Sequence, residues 1–123
     1  MTRTARQGLG HKGEQIAARE LQARGLSIVQ SNYRCAAGEM DVIARSADEL
    51  IFVEVKTRRG NKFGAPEESV HPRKQQKLIE IAEMYLQEHA LDDVNWRIDV
   101  VAVEMDGHGR LLGVDVIEHA GTR

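Results

Sequence analysis

Apolar residues recur at helical spacing between Gly13 and Arg24, where Ile16, Ala17 and Leu21 share a face with Ala18 or Ala23 beside them. Gly25 supplies a stop just past that pattern. A short β-like run, Leu26 to Gln30, follows, and then a turn-rich stretch from Ser31 to Gly38. Met40 to Ala44 and Leu50 to Thr57 are rich in Val, Ile and Phe and predict two strands, joined through the polar Ser46-Ala47-Asp48-Glu49. Arg58 to Glu68 holds two glycines and a proline and predicts a loop. Pro72 opens a second helix, whose apolar face is Leu78, Ile81, Ala82, Tyr85 and Leu86 and which runs to about Glu88. Trp96 to Glu104 alternates as a strand, Asp106-Gly107-His108-Gly109 predicts a hairpin turn, and Leu111 to Ile117 is a last strand. The order is α-β-β-β-α-β-β, an α/β chain with a mixed sheet flanked by helices. We expect one domain over residues 8–119, a flexible N-terminus over 1–7 and a short tail over 120–123.

Composition narrows the class. The chain has 123 residues, 41% apolar and 29% charged, which suits one globular domain with its own core. Its longest apolar runs, Leu50–Val53 and Val100–Val103, are four residues, far short of a membrane span. Met1 to Gln7 has two arginines but no apolar stretch, so it does not read as a secretory signal. A single cysteine, Cys35, excludes an internal disulfide and suits the cytoplasm.

The net charge of −2 hides an asymmetry. Up to Ile79 there are 14 Lys/Arg against 9 Asp/Glu, and from Glu80 onward 3 against 10. The stretch from Lys56 to Lys77 is the most basic, a candidate phosphate-binding surface inside an acidic protein. A solvated loop and helix start is the plainer explanation of the same charges.

Side chains on a strand alternate faces, so Glu54 and Lys56 share one face while Ile51, Val53 and Val55 share the other. A hairpin centred on Ala47-Asp48 sets Asp41 directly opposite Glu54. Opposed carboxylates repel unless a cation lies between them. Mg²⁺ or Mn²⁺ takes oxygen ligands of this kind, and a Val55 carbonyl could add a third. Lys56 beside them would hold the attacking water or neutralise charge on a scissile phosphate. These parts amount to phosphodiester hydrolysis. The competing explanation is an edge strand whose Glu54 and Lys56 simply offset each other at the surface.

The segments Gly13-Glu14, Gly25, Asn32-Tyr33-Arg34, Gly38-Glu39-Met40-Asp41-Val42-Ile43-Ala44, Phe52-Val53-Glu54-Val55-Lys56-Thr57-Arg58, Phe63-Gly64 and Arg97-Ile98-Asp99-Val100-Val101 occur in that order. Together they resemble the YraN-type family of small bacterial proteins described as candidate endonucleases. The resemblance covers about Leu9 to Val103, and the G-E-M-D…F-V-E-V-K segment is its most specific part. More distantly the chain resembles archaeal Holliday junction resolvases and nucleases with a PD-(D/E)xK signature. The resemblance implies a restriction-endonuclease-like fold and a Mg²⁺- or Mn²⁺-dependent DNA endonuclease, acting on branched or structured DNA. Asp41 and Glu54 would be the signature carboxylates, Lys56 its lysine, and Glu14 the helical acid that completes the metal site; Asp41, Glu54 and Val55 would bind the metal. Met40 stands where the signature often has a proline. The rival expectation is a catalytically silent module that keeps the fold and binds nucleic acid or protein. A third is a protein-interaction domain using the acidic face from Glu80 onward.

Arg58, Arg59, Lys62, Arg73 and Lys74 are the candidate DNA contacts. Glu14 also reads as an acid near a helix start, which the helix dipole favours, and Glu39 as a surface residue or a supporting acid. The five histidines show no zinc-ligand spacing. Tyr33 and Trp96 are expected in the core, and Cys35 as a packed small residue. Asp99 fits either a hydrogen bond within the sheet or a place near the site. Cutting both strands of a duplex would favour a two-fold dimer.

Overall fold

The structure, a computed structural model, describes residues 5–60 and 71–121. Its elements are α1 (Ala5–Ala23), β1 (Ser27–Cys35), β2 (Gly38–Arg45), β3 (Glu49–Arg59), α2 (Pro72–Glu88), β4 (Asn95–Met105) and β5 (Leu111–Gly121). This is the α-β-β-β-α-β-β order expected from the pattern. One sheet carries all five strands in sequence order. β1–β2, β2–β3 and β4–β5 pair antiparallel, while β3 and β4 pair in parallel along their whole length. A parallel pair needs a crossover, and α2 provides it. No helix among the described residues is long and apolar enough to cross a membrane.

The β2–β3 hairpin has the register expected from its turn. Val42 faces Val53, Ile43 faces Phe52 and Ala44 faces Ile51, and Ser46 N–H donates to the Glu49 carbonyl at 2.9 Å. Each helix covers one face. On α1's side, Ala17 and Leu21 pack on Val42, Ala44, Ile51, Val53, Val101 and Val103. On the other, Leu78, Ile81, Ala82 and Tyr85 of α2 pack on Met40, Ile43, Phe52 and Ile98. Leu50–Val53 is buried on both faces, which is why it reads as a continuous apolar run rather than an alternating one.

Three boundaries differ from the sequence reading. The stretch Ser31–Gly38 is not a turn: β1 continues to Cys35, and the turn shrinks to the two residues Ala36 and Ala37. Ser31, Asn32 and Arg34 are exposed while Tyr33 is buried, so one-sided burial, not a loop, explains their polarity. Asn32 has φ 55°, a left-handed conformation that Asn tolerates better than most residues. Arg58 and Arg59 also belong to a strand rather than a loop, because β4 extends alongside them and pairs Arg58 with Glu104 and Arg59 with Met105. Finally, α1 starts well before Gly13 and ends at Ala23, with Gly25 at φ 91°.

Candidate metal centre

Where β2 and β3 part, the ladder's last pair is Val42–Val53, one step short of Asp41 and Glu54. Asp41 turns its carboxylate across the gap instead, and the Val55 N–H donates to Oδ2 at 2.7 Å. A side chain thus takes up a backbone donor that the ladder leaves at the parting of the strands. Asp41 is half-buried, and its pKa is pushed up to about 6. Burial is the largest cause; the Val55 N–H works against it, and the charges of Glu14, Glu54 and Glu39 add to the rise.

Those neighbours arrive from different elements. Glu14 rides on α1, one residue past Gly13, and a Cβ on Gly13 would overlap Thr57 Oγ1 of β3. Glycine there lets α1 lie against β3, which brings Glu14 toward the parting strands. Asn32 of β1, with its amide nitrogen turned inward, donates to Glu14 Oε2 at 3.1 Å and to Glu39 Oε1 at 3.2 Å. Arg34 adds a looser contact to Glu39 at 3.6 Å. From the opposite layer, Lys74 of α2 sets Nζ 2.8 Å from Glu54 Oε1.

The structure therefore gathers Glu14, Asp41 and Glu54 into one electrostatic neighbourhood, with Glu39 joining them. Lys56 is half-buried on β3, two residues after Glu54. Of the candidate DNA contacts, Arg73 is exposed in the first turn of α2, and Lys74 is engaged with Glu54. Arg59 donates to the Gly107 carbonyl in the β4–β5 turn at 2.7 Å, and Arg58 is half-buried beside it. Lys62 and the Phe63-Gly64 segment lie outside the described residues. Asp99 is resolved: it is fully buried, aligned with Val53 on the face of the sheet away from Glu54, and it takes both contacts of Arg97 Nε, at 3.1 and 3.2 Å.

Sequence reasoning missed two members of this group. Asn32 gave no chemical signal beyond its place in the Asn-Tyr-Arg segment, and Lys74 read as a solvated helix residue or a phosphate contact. Its pairing with Glu54 depends on how α2 lies on the sheet.

The donor set is all carboxylate oxygen, which fits a hard divalent cation and not zinc. Among the described residues, no three His, Cys, Asp or Glu side chains stand close enough to hold a metal as they are. Asp41 is tied to Val55 and Glu54 to Lys74. The residues fit the cation in chemistry, and the Lys74 ammonium holds one oxygen of Glu54. The described clefts lie elsewhere: one, lined by Val29, Arg45, Asp48, Leu50, Tyr85 and Asn95, sits at the β2–β3 turn, the far end of those strands.

A profile described as uncharacterised protein family UPF0102 matches residues 13–103. The chain belongs to the UPF0102 family. A UPF0102 protein of Moorella thermoacetica is 43% identical over 120 residues, 98% of this chain and 99% of its own. One of Syntrophus aciditrophicus is 48% identical over 100 residues, 81% and 79% of the two chains. One of Acidothermus cellulolyticus is 45% identical over 112 residues, 83% and 85%. The UPF0102 match spans Glu14, Asp41, Glu54, Lys56 and Lys74, and it is the family to which the YraN-type motifs pointed.

Proposed function

We propose that this UPF0102 protein is a Mg²⁺- or Mn²⁺-dependent endonuclease that hydrolyses phosphodiester bonds in DNA, with branched or structured DNA as its substrate class. The observation that carries the reading is the concentration of carboxylates at the parting of β2 and β3, where burial first and then the charges of Glu14, Glu54 and Glu39 push the Asp41 pKa up to about 6. Asp41 faces the charges of Glu14, Glu54 and Glu39, a repulsion that a divalent ion would relieve.

Asp41 and Glu54 would hold the ion, with Glu14 assisting and the Val55 carbonyl available beside them. Bound there, the ion supplies Lewis acidity toward a phosphoryl oxygen and the attacking water. The Val55 N–H fixes the Asp41 carboxylate, leaving its other oxygen for the site. Lys56, on the same strand face as Glu54, places a cation where charge builds on the phosphate. Arg73 and the start of α2 provide the basic approach for the DNA backbone.

The test is cleavage of labelled linear duplex, single strand, flap and four-way junction with Mg²⁺, Mn²⁺ or EDTA, by wild type and Glu54→Ala purified in parallel. Metal-dependent cutting by wild type, reduced by about 10²-fold or more in Glu54→Ala, is the expected result. Cutting that survives in the variant would remove Glu54 from the site. No cutting by wild type under any metal would leave a binding module on the same fold.

A further inference from the structure

Lys74 is the third residue of α2. Pro72 opens the helix, and His71 caps it, its Nδ1 accepting from Arg73 N at 3.2 Å. This fixed start sends the Lys74 stem toward β3, where Nζ meets Glu54 Oε1 at 2.8 Å. The two partners differ in exposure: the Lys74 side chain is 40% exposed and that of Glu54 12%. A long, solvated ammonium therefore covers a carboxylate that has little other contact with water. One turn along, the Lys77 stem passes over Gly38, where a Cβ would lie 3.3 Å from Cε.

Lys74 holds one oxygen of the Glu54 carboxylate, and a divalent ion on the same carboxylate would meet that ammonium at close range, where two cations repel. The exposed partner has the freedom to leave, whereas Glu54 is held by the sheet. A lysine released here stays tethered by α2 beside Glu54, where the backbone of a bound nucleic acid would pass.

We propose that Lys74 is a displaceable counter-ion of Glu54: without the divalent cation its ammonium holds the carboxylate, and on metal loading it is handed over to a DNA phosphate. Metal binding and DNA binding are thereby coupled through one side chain. The proposal rests on the nuclease reading above, and its test separates the two.

Ca²⁺, a hard oxygen-seeking ion, serves as the metal probe, and a fluorescent four-way junction as the DNA. Calorimetry gives the Ca²⁺ affinity of wild type, Lys74→Met and Lys74→Gln, with circular dichroism confirming that each folds. Anisotropy over a KCl series gives DNA affinity with Ca²⁺ and with EDTA. The expected result is several-fold tighter Ca²⁺ binding by both variants, because the competing ammonium is gone. Ca²⁺ should also steepen the salt dependence of wild-type DNA binding by about one phosphate contact, a slope change of ~0.9. That extra slope should be absent in both variants. Equal Ca²⁺ affinity in all three proteins, or the same Ca²⁺-induced slope in the variants as in wild type, overturns the hand-over while leaving the metal site standing. Absence of Ca²⁺ binding by wild type overturns both the hand-over and the metal site.

Discussion

Two ionic clusters occupy this sheet, and they are built on opposite principles. In the first, Arg97 of β4 answers three carboxylates: both oxygens of Asp99, Glu49 Oε1 at 2.9 Å and Glu118 Oε1 at 3.6 Å. Asp99 is 1% exposed in its side chain, and its charge is met at close range by the Arg97 Nε–H, which its two oxygens share. In the second, burial and the charges of Glu14, Glu54 and Glu39 raise the cost of ionising Asp41. Asp41, at its centre, is met by an uncharged backbone N–H, and the cations that reach the group do so at its edges, Lys74 on Glu54 and Arg34 on Glu39. In the first cluster the buried carboxylate touches its cation directly, although one guanidinium there serves three carboxylates. In the second, no cation touches Asp41 among the described residues; it meets the Val55 N–H, and its charged neighbours are acids.

The largest expected effect breaks the first cluster. Arg97→Met removes the guanidinium from the buried Asp99 and should cost about 3–5 kcal/mol of stability, read as a shifted urea midpoint, with no dependence on divalent metal. A loss below ~1 kcal/mol would show that Asp99 is satisfied without Arg97, and the contrast between the clusters would fail.

Relieving the second cluster should do the reverse. The Asp41 carboxyl sits near pH 3.8 when unperturbed and at about 6 in the fold, so the folded state holds its proton more tightly. Between those values the native protein binds more protons than the unfolded chain. Stability therefore falls as pH rises through that window and stays lowered above it. Asp41→Asn keeps an oxygen for the Val55 N–H and removes the charge. In EDTA at pH 7.5 it should be more stable than wild type by about 1–3 kcal/mol, a gain that vanishes near pH 4. Equal stability at both pH values would mean that neither burial nor the neighbouring carboxylates oppose the Asp41 charge.

A smaller effect concerns how α1 delivers Glu14. Gly13→Ala drives a methyl into Thr57 Oγ1 and should cost about 1–3 kcal/mol through displacement of the helix. Divalent metal should then stabilise the variant less than wild type in a thermal melt. The smallest change is expected of Asn32→Gly. It loses the bridge between Glu14 and Glu39 but relieves the left-handed φ, for a net change within ~1 kcal/mol in the same melt.

Much of this arrangement was legible in the linear chain. The hairpin register follows from the central turn and the Val/Ile/Phe strands around it and holds as far as Val42–Val53, one step short of the expected Asp41–Glu54 pair. Pro72 and the apolar spacing gave α2 with both of its ends. The strand character of Ser31–Cys35 was not legible, because exposed polar residues on an edge strand look like those of a loop. Arg58 and Arg59 were misread for a related reason: their strand exists through β4, more than forty residues away in the chain.

Local pattern fixes what depends on neighbours along the chain: the periodicity of each helix and strand, the hairpin register, and the chemistry of the carboxylates and lysine on β2 and β3. The Lys74–Glu54 pair, the Asn32 bridge and the Arg97–Asp99 match were decided only when α1, β1 and α2 settled on the sheet. Each joins residues whose approach is set by helix-on-sheet packing or by strand pairing, and sequence spacing carries no record of that distance.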